Sequence, residues 1–96
     1  MIVYRAMCEE EYLNTLKEKQ PVFIKRFKWF SHNLNFIKSK VKDGKFNNSQ
    51  FVPDRYKYVL SFKVYDIYKV DFITRNEVQV DRRKNVNIQL IGEVYD

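Results

Sequence analysis

Glycine and proline are scarce: each occurs only twice in 96 residues. A flexible low-complexity tract rich in these residues is thereby excluded. A phosphate-cradling glycine loop is excluded too, because Gly44 and Gly92 are isolated and far apart. The single cysteine, Cys8, can form neither an internal disulfide nor a cysteine-based zinc site. With one histidine, His32, the chain lacks the parts of a histidine-based metal centre, and no metal is expected. Nothing in the spacing makes Cys8 and His32 a catalytic pair, and no two acids sit as a glycosidase would need. No stretch approaches the roughly 18 apolar residues of a membrane span. The opening Met1-Ile2-Val3-Tyr4-Arg5 has no apolar run of signal-peptide length. No membrane association is expected, and a reducing cytoplasm is the expected compartment.

What the chain does have is aromatic bulk. Eight Phe, seven Tyr and one Trp supply large buried areas to a single core, so residues 1–96 read as one domain. The net charge of +6 is uneven. Between residues 25 and 45 stand Lys25, Arg26, Lys28, Lys38, Lys40, Lys42 and Lys45 against one acid, Asp43. A second cluster is Arg82-Arg83-Lys84. Such a field attracts nucleic acid, acidic proteins or a pyrophosphate; the bland alternative is a solvated surface.

Periodicity divides the chain into elements. Val3 and Tyr4 open a strand that ends near Cys8, and Glu9-Glu10-Glu11 starts a helix with acids at its positive pole. Tyr12, Leu13 and Leu16 give that helix a face to bury, and Pro21 closes it near Gln20. Residues 22–30 hold a short β-prone run, after which Ser31 is a fair helix N-cap. Leu34, Ile37 and Val41 predict one buried stripe, with Lys38, Lys40 and Lys42 facing water. Asp43-Gly44 is a stop signal, and residues 45–54 read as a loop.

The clearest strand follows, where Tyr56, Tyr58, Leu60, Phe62 and Val64 alternate with the residues between them. Val78 and Val80, then Val86, Ile88 and Leu90, predict two more strands joined by a hairpin turn over 82–85. The fold class is α+β: two N-terminal helices packed on a mainly antiparallel sheet.

Three places carry candidate chemistry. Arg5 ends the opening strand in Val3-Tyr4-Arg5. Ser31 stands between strand and helix in Trp29-Phe30-Ser31-His32-Asn33-Leu34. Glu77 opens a strand in Asn76-Glu77-Val78-Gln79-Val80. This order resembles the arginine–serine–glutamate pattern of ADP-ribosyltransferases. The spacing of elements is similar as well, with a helix after the arginine, another after the serine, and a strand before the glutamate.

The resemblance implies a strongly bent sheet and NAD as substrate. Glu77 would be the catalytic carboxylate beside the ribose, whose glycosidic bond breaks through an oxocarbenium-like transition state. Arg5 would fork onto the phosphates, and Ser31 would brace the nicotinamide side of the site. Phe46, Phe51 or Tyr56 would supply a ring for the nicotinamide. The implied activity transfers ADP-ribose to a macromolecular acceptor, protein or nucleic acid. Arg75 stands where members often carry Gln or Glu two residues before the catalytic glutamate, which points to a polyanionic acceptor. The serine motif also departs from the family, running on as His32-Asn33.

Two other classes stay open. The second reading is a nucleic-acid-binding module through the basic stretch, with Phe27, Trp29, Phe30 and Phe36 interleaved. The chain also reads as a catalytically inactive interaction or inhibitor protein on the same scaffold. Each candidate has an ordinary role as well: Arg5 a strand-end cation, Ser31 a cap, Glu77 an acid paired with Arg75 or a lysine. Convergence of Arg5, Ser31 and Glu77 on one cleft separates the enzyme reading from the others.

Overall fold

Alternation and helical spacing both find their partners in the computed structural model, which describes residues 1–43 and 56–94. The order is β1 (Ile2–Met7), α1 (Glu9–Glu18), β2 (Phe27–Ser31), α2 (Leu34–Asp43), β3 (Tyr58–Val64), β4 (Asp71–Phe72), β5 (Glu77–Asp81) and β6 (Ile88–Glu93). Single 3-10 turns lie at Ile67–Lys69 and Arg82–Lys84. The expected turn at Gly44, the loop over 45–54, and the side chains of Lys45, Phe46 and Phe51 lie outside the described residues.

The strands form one six-stranded sheet in the order β4-β5-β2-β1-β3-β6, antiparallel at every pairing. Side chains of a strand alternate between faces, so each face collects its own cluster. Val3, Met7, Phe30, Leu60, Phe62, Val64, Val78, Val80 and Ile88 are buried on one face, with Tyr12 of α1 packed against them. Tyr12 stacks on Tyr58 with centroids 4.2 Å apart. Ala6, Val59 and Ile37 are buried on the other face, where Leu34, Phe36 and Val41 of α2 join them. Each helix therefore covers a different face.

Several expectations are corrected. The helices do not form an N-terminal helical portion; they alternate with β1 and β2 along the chain. A strongly bent sheet is not borne out either: the β1–β3, β2–β5 and β3–β6 ladders run in register, with one irregularity between Ser61 and Phe62. The expected hairpin over 82–85 does not exist. The β5 strand pairs with β2 and β4, whereas β6 pairs with β3 at the far edge of the sheet. The reason is local. The Asp81 carboxylate accepts from the Arg83 amide at 2.9 Å and Asn85 adopts a left-handed φ of 50°, so the chain leaves in a 3-10 turn. The hairpin present joins β4 to β5, and its turn is held by Thr74 Oγ1, which accepts from the Glu77 amide at 3.1 Å.

Helix α1 buries a different side from the one its leucines suggest. Leu13 and Leu16 are exposed, at 54% and 38%, while Thr15 is fully buried. Thr15 donates to the Glu11 carbonyl at 2.7 Å, so burying its hydroxyl leaves no orphaned donor. The helix stops at Lys19, whose left-handed backbone returns its amide to the Thr15 carbonyl.

Candidate functional site

β1 and β2 are neighbours, yet they are in register only at Tyr4 and Ser31. By contrast β1 and β3 share six registered pairs, and β2 and β5 share five. Beyond Tyr4 and Ser31 the two central strands part. The Arg5 guanidinium reaches into that parting, where Nη1 donates to the Trp29 carbonyl at 2.8 Å. A cleft of about 810 Å³ runs along it, a size usual for small-molecule sites. Its walls come from β1, α1, the segment 22–25, β2, α2, Tyr56 and Glu77.

Arg5, Ser31 and Glu77 all line this cleft. They reach it from different sides. Strand alternation puts Arg5 on the α1 face with Val3 and Met7, and puts Ser31 and Glu77 on the α2 face. Ser31 and Glu77 are direct cross-strand partners. Ser31 is almost wholly buried, and its Oγ accepts from the Asn33 amide at 3.0 Å while donating to the Asn33 carbonyl at 3.1 Å.

Ser31 is therefore not the helix cap. Asn33 is: its Oδ1 accepts from the Phe36 amide, and its carbonyl begins the helical bonding of α2. The Asn33 side chain also donates to Asn76 Oδ1 at 3.1 Å, which ties the start of α2 to the approach to Glu77. Among the described residues the Glu77 carboxylate has no ion-pair or hydrogen-bond partner, so pairing with Arg75 does not account for it.

Arg5 is not free. Its Nε and Nη2 fork onto the Glu11 carboxylate at 2.6 and 3.0 Å. Lys28 approaches the same carboxylate at 3.0 Å and donates to the Val22 carbonyl at 2.8 Å. The cluster thus holds two cations and one anion, all largely buried. Burial acts to raise the Glu11 pKa, but hydrogen bonding to Arg5 and the charges of Arg5 and Lys28 outweigh it, and the net displacement is downward. The Lys28 ammonium is held below its ordinary value by burial first and by the neighbouring Arg5 charge second. In the sequence Glu11 reads only as an acid at the positive end of the helix dipole. The signal that could have found it was the strand alternation, which turns both Arg5 and Lys28 toward α1.

The expected basic stretch divides on folding. Lys25, Arg26 and Lys42 are exposed, Lys38 and Lys40 are half-buried, and Lys28 is buried. Lys40 lies 5.3 Å from the Phe36 ring centre rather than projecting into water. Of the rings expected to serve a nicotinamide, Tyr56 lines the cleft. Trp29 and Phe27, which β-patterning and aromatic character would assign to the core, stand 43% and 40% exposed along the same cleft. Among the described residues no cluster of His, Cys, Asp and Glu is suited to hold a metal, and no helix is long and apolar enough to cross a membrane. No family model matches the chain, and neither a curated protein nor a solved structure matches it.

Proposed function

We propose that the cleft binds NAD and that the domain is an ADP-ribosyltransferase-like catalyst acting on a macromolecular acceptor. One observation carries this reading. Three residues as far apart in sequence as Arg5, Ser31 and Glu77 line a single cleft, with Ser31 and Glu77 facing each other across the β2–β5 ladder. In this reading the unpaired Glu77 carboxylate accepts a hydrogen bond from a ribose hydroxyl and stabilises positive charge developing at the anomeric carbon. The bond from that carbon to the nicotinamide nitrogen breaks with its electron pair leaving on nicotinamide. A nucleophile of the acceptor supplies the new pair and gives up its proton. Ser31 acts indirectly, by holding the turn into α2 and hence the wall beside Glu77.

Arg5 serves the phosphates only by exchanging partners. Its fork is filled by Glu11, so a pyrophosphate must displace a carboxylate that the helix holds in place. Lys28 then takes a larger share of the Glu11 charge. The reading therefore expects weak NAD binding that improves when Glu11 is neutralised.

The test is incubation of the purified protein with NAD labelled in the adenylate moiety, in the presence of cell extract. Free nicotinamide and labelled macromolecule are the expected products. Glu77→Gln, which keeps shape and removes charge, lowers both by roughly 100-fold or more. A folded protein that yields neither product counts against the reading.

A further inference from the structure

The outward face of β2 is the least expected surface of the molecule. This strand lies inside the sheet order, where large rings normally find cover, although β1 pairs with it only at Ser31 and its Phe27–Trp29 part is paired on the β5 side alone. Instead the pleat turns Lys28 and Phe30 inward, at 8% and 2% exposure, and leaves Phe27 and Trp29 open. The two rings are two residues apart on one face, hence about 7 Å apart along the strand. Gln79 stands beside Trp29 and Asp81 beside Phe27 on β5.

Cations gather at the Phe27 end. Arg26 lies 4.7 Å from the Phe27 ring centre and forks onto Asp81, and the Arg82 amide bonds the Arg26 carbonyl. Lys25, Arg82, Arg83 and Lys84 are all exposed at this end of the strands. Among the described residues, the acids there are Asp81, consumed by Arg26, and Asp71, 3.8 Å from Lys84. The opposite end of the strip is Ser31 and Glu77, inside the cleft.

We propose that this strip is a binding platform for single-stranded nucleic acid. Its phosphates are drawn to the Lys25, Arg26 and Arg82–Lys84 end, and two bases stack on Phe27 and Trp29. An aromatic pair on a strand face next to a cationic edge is what unpaired bases recognise: rings accept any base, and cations follow the backbone. A double helix hides its bases from such a surface. An acidic peptide would meet the cations but gain little from the two rings. The platform does not depend on NAD chemistry, though a strand laid along it ends beside Glu77.

Trp29 is the chain's single tryptophan, so its emission reports directly on stacking. The experiment titrates the full chain with a short oligothymidylate, with a duplex of equal length, and with polyglutamate of equal charge, all without NAD. The oligothymidylate quenches the emission, and binding weakens roughly fifty-fold between 50 and 200 mM salt if four phosphates are contacted. By anisotropy of a labelled oligomer, Trp29→Ala and Phe27→Ala each lower affinity roughly 5- to 100-fold, while Trp29→Phe keeps most of it. Circular dichroism confirms that the variants fold. Equal binding of duplex or polyglutamate overturns the proposal, as does an alanine variant that binds within twofold of the parent. NAD that quenches Trp29 while oligomers do not would assign the ring to the dinucleotide and overturn it as well. Nicotinamide release, assayed separately, keeps the fate of the NAD reading distinct.

Discussion

The two helices dock by opposite means. Helix α2 lies on its face of the sheet through Ile37, with Leu34, Phe36 and Val41 around it, and these pack on Ala6 and Val59. Helix α1 turns an aromatic ring, a buried threonine and a carboxylate toward the sheet and leaves its two leucines outside. What holds α1 in place is the Tyr12–Tyr58 stack together with Glu11 clamped between Arg5 and Lys28. Apolar attachment is non-directional and survives small shifts. Attachment through a fork of hydrogen bonds fixes position, and it costs desolvation of three charges. That cost is tolerable at the edge of a cleft, where the cluster keeps partial access to water. The same arrangement keeps the two cations along the cleft wall.

The comparison breaks first at its apolar side. Ile37→Ala removes the centre of the α2 contact and should lower stability by about 3 kcal/mol, read from urea unfolding. A loss below about 1 kcal/mol would mean that the flanking side chains, not Ile37, carry the contact. Next comes the polar side. Glu11→Ala strands Arg5 and Lys28 without their shared anion and should cost about 2 kcal/mol, reduced from the fully buried case by partial exposure.

A pH series sharpens this second prediction. The folded pKa of Glu11 lies below its ordinary value of 4.5. Its contribution is therefore complete above that value and is lost as pH falls through the lower folded one. The stability gap between the parent and Glu11→Gln should be largest near neutrality and shrink below pH 4.5. A gap unchanged down to pH 2 would show that Glu11 acts by packing alone.

Legibility in the sequence follows the same division. The α2 stripe and the alternation of Tyr58, Leu60, Phe62 and Val64 were readable because burial there is apolar and periodic. The stripe on α1 is legible only at Tyr12, because the other residues that turn inward are Glu11 and Thr15, which hydropathy scores as surface. The phantom hairpin had a similar origin. Two alternating runs separated by four residues look paired, yet the redirecting device is a single Asp81 carboxylate on a backbone amide. Of the site, the three residues that line the cleft were named from order along the chain alone. The Glu11–Lys28 partnership and the open rings of Phe27 and Trp29 needed the sheet, since only strand pairing decides which face of β2 finds cover.

A smaller effect tests the join between the two regions. Asn33 caps α2 and reaches Asn76, whereas Ser31 only braces the turn. Asn33→Ala should cost about 1 kcal/mol by losing the cap. It should also loosen Glu77's approach, seen as faster amide exchange at residues 76–77. Unchanged exchange there would separate the cap from the cleft.

The smallest effect is the sharpest test of how α1 sits. Leu13 and Leu16 have helical spacing, and a helix resting on them would lose about 2–3 kcal/mol for each when cut to alanine. In this structure both side chains keep contact with water, and the helix instead turns buried Thr15 and half-buried Tyr12 toward the sheet. Leu13→Ser should therefore change stability by no more than about 0.5 kcal/mol, and Leu16→Ser by slightly more because it is the less exposed. Thr15→Val, which keeps the shape and deletes a satisfied hydroxyl, separates the alternatives further. It is nearly neutral if the Thr15 bond to the Glu11 carbonyl merely balances its own burial. A loss of about 2 kcal/mol in a leucine variant would show that the helix rests on its leucines, an orientation that withdraws Glu11 from Arg5 and undoes the account of the cleft.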